Sequence, residues 1–419
     1  MQTEPCNLRL HIGLFGRRNV GKSSLLNAIT RQEAAIVSET PGTTTDPVEK
    51  PMELLPLGSV LFIDTAGLDD SGALGEKRIA KTRQALDRTD LGVLVTEAGM
   101  WGDFEEALLA ELRSRSVPVI VVFNKGDLGA PGRPLLARLA AETVAWVQTA
   151  ALSGAGIGDL RRALVAAAPA DYLDARRGAG DLVGPGELVV LVVPIDKGAP
   201  KGRLILPQVQ TIRDALDNDA SILIVKEREL ASTLTYLNRK PDLAVCDSQA
   251  ILKVSADVSK DIPCTTFSIL FARQKGNLSA AAAGAAAIET LLPGDRVLIA
   301  EACSHHPLQD DIGRIKIPRW LSQYVGGELK IDIVAGRDYP EGLDRYRLII
   351  HCGSCMLTRR EMLARLQKAK EASVPVTNYG LAISFTQGVI RRVLSPFPSA
   401  LIAFDRRIAE IRKERHQGH

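Results

Sequence analysis

Aromatic side chains are scarce: Phe, Tyr and Trp together make up 4% of the 419 residues. So few rings leave little for base-stacking platforms, and a net charge of only +3 gives no field that would gather nucleic acid. No apolar run approaches the roughly 20 residues that span a bilayer. The longest candidates, 188–193 and the alanine run 280–287, are too short or too weakly apolar. No start-of-chain signal peptide is visible either, so a cytoplasmic protein is expected, with neither membrane nor nucleic acid as a partner. Cysteine is limited to Cys6, Cys246, Cys264, Cys303, Cys352 and Cys355. In a reducing compartment that excludes a disulfide framework and turns attention to any tight cluster among them.

What is present is the profile of a globular protein, 46% apolar and 24% charged, in a chain too long for one ordinary core. Short apolar runs at 10–15, 60–63, 91–95 and 117–123 read as strands buried on both faces. Helical patterns at 24–30, 77–87, 105–114 and 158–168 separate them. This alternation predicts an α/β fold, a doubly wound and mostly parallel sheet over residues 1–173. A Gly-rich linker at 174–186 follows, then two smaller α/β domains at 187–264 and 265–400, and a charged tail at 401–419. The alanine-dense stretch reads as a close helix–sheet packing surface.

Four motifs in the first region point to guanine nucleotide chemistry. Gly16-Arg17-Arg18-Asn19-Val20-Gly21-Lys22-Ser23, followed by Ser24, fits the phosphate-binding loop and sits between a predicted strand and a predicted helix. Its backbone N–H groups can turn on phosphate oxygens, Lys22 supplies a point charge to the β- and γ-phosphates, and Ser23 offers a hydroxyl to Mg²⁺. Asp64-Thr65-Ala66-Gly67 follows a strand; its carboxylate can reach Mg²⁺ through water, and the Gly67 N–H can meet the γ-phosphate. Asn124-Lys125-Gly126-Asp127 closes another strand. Asp127 can accept from both the ring N–H and the exocyclic amine of guanine, which adenine cannot supply together. Asn124 can bond the imidazole edge, and the Lys125 stem can lie over the base. Ala150-Ala151-Leu152 resembles the segment that backs the guanine in guanine-nucleotide-binding proteins, with Ala150 in place of the usual serine, so that only the N–H of Ala151 or its neighbour is expected to contact the base oxygen.

A further segment, Pro41-Gly42-Thr43-Thr44-Thr45-Asp46, resembles the switch segment of TrmE–Era–EngA-like GTPases. The resemblance implies that Thr44 senses Mg²⁺ and the γ-phosphate, and it leaves Thr45 where those relatives carry arginine. Leu68 stands where Ras-like proteins place glutamine, so no residue is evident to orient the attacking water and hydrolysis is expected to be slow. Asn19 falls where cation-dependent relatives hold K⁺, which predicts K⁺ stimulation; a plain turn residue is the alternative. Lys22, Thr44, Asp64 and Gly67 form the expected catalytic set.

Farther on, Cys303-Ser304-His305-His306 and His351-Cys352-Gly353-Ser354-Cys355 each follow a predicted strand. If those strands neighbour one another in one parallel sheet, the side chains converge in one crevice. Thr358 and Glu361 form a capping box for the next helix, whose N-terminus favours thiolate. Zinc on cysteine and histidine, an iron–sulfur cluster on three cysteines, a reversible Cys352–Cys355 disulfide and a site with no metal all fit these residues.

The union of the GTPase motifs with this cysteine spacing resembles the HydF family, the maturation GTPases of FeFe-hydrogenases. Val376-Thr377-Asn378-Tyr379-Gly380 adds to the likeness. The resemblance covers nearly the whole chain. It implies a GTP/GDP- and Mg²⁺-binding scaffold that receives a diiron precursor made with two radical-SAM partner enzymes and delivers it to apo FeFe-hydrogenase. It further implies a homodimer formed through the middle domain and a 4Fe–4S cluster on Cys303, Cys352 and Cys355, with His305 and His351 as candidate further ligands. The competing expectation is an RNA- or ribosome-associated GTPase with a structural zinc site.

Overall fold

The computed structural model describes residues 9–30, 48–55, 57–65, 84–169, 179–194, 204–302, 311–336, 339–355 and 357–417. They divide into two compact units, Met1–Asp174 and Ala175–His419. Among the described residues no helix is long and apolar enough to cross a membrane.

The first unit is a six-stranded sheet of β1 (Leu10–Phe15), β2 (Val48–Leu54), β3 (Gly58–Asp64), β4 (Leu91–Glu97), β5 (Val119–Asn124) and β6 (Ala145–Gln148). Their order is β2-β3-β1-β4-β5-β6, and only β2 runs antiparallel. Alternate side chains face opposite layers. Leu10, Ile12 and Leu14 pack with Leu25, Leu26 and Ile29 of α1 (Lys22–Thr30) and with Leu160 and Leu164 of α4 (Ile157–Ala167). Phe15, Leu94 and Phe123 pack instead with Leu108, Leu109 and Leu112 of α2 (Asp103–Ser114) and Leu139 of α3 (Arg133–Ala141). This two-sided burial is why the central strands read as continuous apolar runs. β2 and β6 escaped that reading. β2 is an edge strand with exposed polar positions and a central Pro51, tolerated because an edge N–H needs no partner. Of the helix expected at 77–87, residues 84–88 are helical and the remainder lies outside the described residues.

The second unit holds two parallel sheets. One has the order β10-β9-β7-β8, from β7 (Leu188–Val192), β8 (Ser221–Val225), β9 (Leu243–Cys246) and β10 (Cys264–Thr266). The other has the order β12-β11-β13-β14, from β11 (Arg296–Ala300), β12 (Lys330–Val334), β13 (Leu348–His351) and β14 (Val376–Asn378). A single apolar core runs through both sheets, joining Val190 and Val245 to Val297, Ile350 and Phe404. β10 straddles the 264/265 boundary expected between two domains, and it leads through the Thr266 cap straight into α8 (Phe267–Lys275). The end of the expected linker is structured: Ala179 is buried, and the N–H groups of Ala179 and Gly180 both donate to Asp214. The expected charged tail is a 20-residue helix, α14 (Pro398–Gln417), which buries Phe404, Ile408 and Ile411. The alanine-dense α9 (Leu278–Ala286) packs as expected: a Cβ on Gly284 would stand 1.9 Å from the Val376 carbonyl oxygen of β14.

Candidate functional site

The phosphate-binding loop leaves the carboxyl end of β1, between β3 and β4, where strand order reverses. Two glycines make its path feasible. Gly16 (φ +150°) approaches β4 so closely that a Cβ would lie 2.1 Å from the Val95 carbonyl oxygen. Gly21 (φ +87°) would place a Cβ 2.4 Å from Asn124 Nδ2. Asn19 is exposed with φ 62°, the left-handed turn conformation that asparagine tolerates. Buried Lys22 donates from Nζ to the Gly16 carbonyl at 2.9 Å and the Arg17 carbonyl at 2.6 Å.

At the metal end, Ser23 Oγ donates to Asp64 Oδ2 at 2.6 Å, while Asp64 Oδ1 is buried without a protein partner. Burial holds the Asp64 carboxyl above its ordinary range, against the Ser23 hydrogen bond and the charges of Lys22 and Lys50. A hydroxyl and a buried carboxylate with a spare oxygen suit a hydrated Mg²⁺. Thr44, Gly67 and Leu68 lie outside the described residues.

At the base end, Asn124 is a tie. Its Nδ2 donates to the Val20 carbonyl at 3.0 Å, and its Oδ1 accepts from Thr149 Oγ1 at 3.1 Å and the Ala151 N–H at 3.2 Å. Asn124 links the phosphate loop to the base-backing loop, and the Ala151 N–H is engaged by it, because a buried amide must satisfy both its ends. Lys125 (φ 56°) pairs with Glu97 at 2.6 Å, and Asp127 is exposed beside it.

Sequence reasoning missed a clamp beneath this loop. Arg17 makes a two-pronged ion pair with Glu105, at 2.8 and 3.0 Å, and lies over the Phe104 ring. Glu105 is fully buried at the start of α2 and also accepts the Gly102 N–H. No motif marks it; a carboxylate three residues past a glycine is the only signal. Arg17→Met should destabilise the first unit by about 1–3 kcal/mol, because the buried carboxylate loses its charged partner. Denaturant unfolding in a Trp320→Phe background, where tryptophan emission reports this unit alone, measures it. Glu105→Gln should relieve much of the loss.

In the second unit, β11 and β13 are adjacent and parallel, with Ala300 opposite His351. The chain passes from β11 to β12 on one side and then to β13 and β14 on the other, so the crevice between them is a switch point. The Cys352 N–H donates to the Ala300 carbonyl at 3.0 Å. Cys352 Sγ accepts the N–H of Ala302 at 3.1 Å and that of Ser354 at 3.4 Å. Burial pushes the Cys352 thiol up, and those two N–H groups pull it down. Cys355 is half-buried in the same loop, and Cys352 and Cys355 are both free thiols. Ala302 directly precedes Cys303, but Cys303, His305 and His306 lie outside the described residues, as does Cys6. Among the described residues no three metal-binding side chains cluster.

His351 is fully buried, stacks on Tyr339 with ring centres 5.6 Å apart, and has no hydrogen-bond partner on either ring nitrogen. Burial, with help from the Arg365 charge, pushes its pKa down to about 3, so the ring is neutral. The Thr358–Glu361 capping box is present, with Thr358 N–H to Glu361 at 2.8 Å and Glu361 N–H to Thr358 Oγ1 at 3.1 Å. Asn378 caps α12 (Tyr379–Thr386) and ties it to Ser268, and the Tyr379 hydroxyl reaches Glu301 at 3.4 Å. Cys246 and Cys264 are buried away in the other sheet.

Three family models match the chain. A 50S ribosome-binding GTPase model matches residues 11–125, a hydrogen maturase F dimerization domain 179–276, and a hydrogen maturase F tetramerization domain 279–396. Over the first region the chain is 42% identical to the tRNA modification GTPase MnmE of Synechococcus sp. (strain CC9311), covering 38% of this chain and 33% of that protein. It is 38% identical to GTPase Der of Wolinella succinogenes, covering 30% and 28%. The chain thus spans about a third of the length of these curated relatives. Among solved structures, Era of Aquifex aeolicus aligns over 52% of this chain and 92% of its own, at 21% identity and a TM-score of 0.35.

The first unit is therefore a P-loop GTPase domain. The two maturase models together span more than half the residues, in the order that follows such a domain. The chain belongs to the hydrogen maturase F (HydF) family.

Proposed function

We propose that this protein is a GTP-gated scaffold that takes part in assembling the diiron subcluster of FeFe-hydrogenase and delivers it to the apo-enzyme. It carries a resident 4Fe–4S cluster on Cys303, Cys352 and Cys355. The observation that supports this most is the meeting of the two motif halves: the peptide N–H just before Cys303 donates to the Cys352 sulfur. The donor set fits the cluster. Thiols stand in an N–H-lined crevice, and a neutral buried imidazole next to them has both nitrogens unspent. When bound, the cluster offers an iron that lacks a cysteine ligand, to which a precursor can attach.

The nucleotide side acts as a switch. Lys22, Ser23, Asp64 and Thr44 serve the phosphates and Mg²⁺, Gly67 meets the γ-phosphate, Asp127 reads guanine, and Asn19 holds K⁺. Hydrolysis is slow, and it alters how the protein docks on radical-SAM maturases and apo-hydrogenase. The residues matching the dimerization and tetramerization models support a homo-oligomer. The RNA-associated alternative draws support from relatives of the first unit alone, whereas residues 179–396 match maturase domains.

The test is maturation of apo-hydrogenase by wild type and by Cys303→Ser. After anaerobic reconstitution with iron and sulfide, the wild type should be brown and competent. The variant should lose maturation with GTP hydrolysis nearly intact. A colourless wild-type protein holding zinc would overturn the carrier reading.

A further inference from the structure

Lys275, the last residue of α8, is only 4% exposed, and its ammonium lies beneath the cysteine loop. Its three protons meet three carbonyls of that loop: Ser354 at 2.8 Å, Cys355 at 3.2 Å and Leu357 at 2.8 Å. The Phe271 ring closes another side, 5.2 Å from Nζ. Three neutral acceptors satisfy the hydrogen bonds of an ammonium but not its charge, and burying a charge without a counter-charge is costly. The acidic groups that face it are Cys352, Cys355 and Glu361. Of these, Glu361 is already committed to the helix cap through the Thr358 N–H.

The loop's backbone is arranged to match. Ser354 holds φ 51°, a conformation that a serine adopts at a cost unless its neighbours enforce it. Lys275 enforces it by fixing the carbonyl ends of the loop on the side of α8. The peptide unit is planar and trans, so an N–H points opposite to the carbonyl of its own unit. The Cys355 N–H is thereby turned away from the ammonium. The Ser354 and Ala302 N–H groups already point at the Cys352 sulfur. Carbonyls gathered on a cation at one side and N–H groups presented to sulfur at the other make a polarised shell suited to an anionic centre.

We propose that Lys275 is a positioning residue for the iron–sulfur cluster: it orders the backbone at Ser354, Cys355 and Leu357 and, through its charge, favours the reduced cluster. This rests on the cluster reading given above. A 4Fe–4S²⁺ core on three thiolates carries one net negative charge. One electron from dithionite makes it two, with no bond broken, so a fixed positive charge alongside stabilises the reduced form more.

The test uses the full chain as wild type, Lys275→Met and Lys275→Arg, first without iron and then reconstituted anaerobically with iron and sulfide. In the iron-free protein, amide exchange across residues 351–358 should speed at least about tenfold in Lys275→Met. In the loaded protein, an EPR-monitored redox titration should show the reduction constant of Lys275→Met lowered by about tenfold, which is about 59 mV. Lys275→Arg should restore most of it. A Lys275→Met chain that is folded yet holds no iron, while Lys275→Arg does, also supports the proposal. Unchanged exchange overturns the positioning role whatever the iron result, and an unchanged potential overturns the electrostatic one. A Lys275→Met chain unfolded before iron is added makes Lys275 an ordinary structural residue and overturns both. A wild-type chain that takes up no iron sinks the cluster reading, while the exchange experiment still decides on the loop.

Discussion

Asp127→Asn is expected to move the protein's preference from guanosine to xanthosine nucleotides, with GDP affinity falling about 10²–10³-fold. The carboxylate offers two acceptors to the ring N–H and exocyclic amine of guanine. An amide replaces one acceptor with a donor, which then faces the amine donor; xanthine carries a carbonyl there and accepts instead. A fully buried pair of this kind discriminates by about 10⁴–10⁵. Asp127 stands exposed at its loop, so part of the loss is recovered from water and the smaller figure applies. The loop itself should survive the change. Lys125 is held by Glu97, and the Leu128 N–H closes the turn on the Lys125 carbonyl at 2.9 Å, neither of which involves the Asp127 side chain. Fluorescent-nucleotide titration with GDP and xanthosine diphosphate measures it. A GDP affinity within threefold of wild type would mean that another group reads the base.

Legibility followed chemistry. The central strands were readable because they are buried on both faces and so written in one kind of residue, as in Leu10–Phe15. The phosphate loop and the base loop were readable because a backbone cradle and a two-acceptor carboxylate have few sequence solutions. β2 was not, since an edge strand with Pro51 obeys no apolar pattern. Nor was the extent of the second unit. A boundary placed at 264/265 falls within β10, and the core that runs through both sheets is built from residues distant in sequence, such as Val190 and Phe404. The tail at 401–419 read as charged because α14 contributes only a narrow apolar stripe to that core.

The site residues that escaped notice share one property: each acts through a contact that spacing does not encode. Arg17 meets Glu105 across 88 positions and Lys275 meets Ser354 across 79. Lys50, buried on β2, donates to Asn27 at 3.0 Å and faces the field of Asp64. A charged residue inside a fold costs free energy wherever it lies, so its function shows only once its partners are known. Asn124 illustrates the converse. Its identity was legible, but its ties to Val20, Thr149 and Ala151 were not, because a motif gives residue types and not the direction of an amide.

Cys352→Ser and Lys22→Ala should fail in opposite assays. Cys352 Sγ is the sulfur on which two loop N–H groups converge, and a serine hydroxyl there cannot replace a thiolate as a ligand to iron. Iron retained after reconstitution should fall at least about tenfold, judged against the 10–100-fold effect of losing even an outer-shell partner. GTP turnover should stay within about twofold, because the nucleotide motifs lie in a unit with its own cores. Lys22→Ala removes the ammonium that donates to the Gly16 and Arg17 carbonyls of the phosphate loop. Losing such a preorganised donor costs about 10²–10³ in turnover, while iron loading should match wild type. Both proteins should then fail to mature apo-hydrogenase, for different reasons, and mixing them should restore little unless subunits exchange. If Lys22→Ala matures the hydrogenase as well as wild type, nucleotide hydrolysis gates neither loading nor delivery, and the GTP-gated part of the proposed function fails.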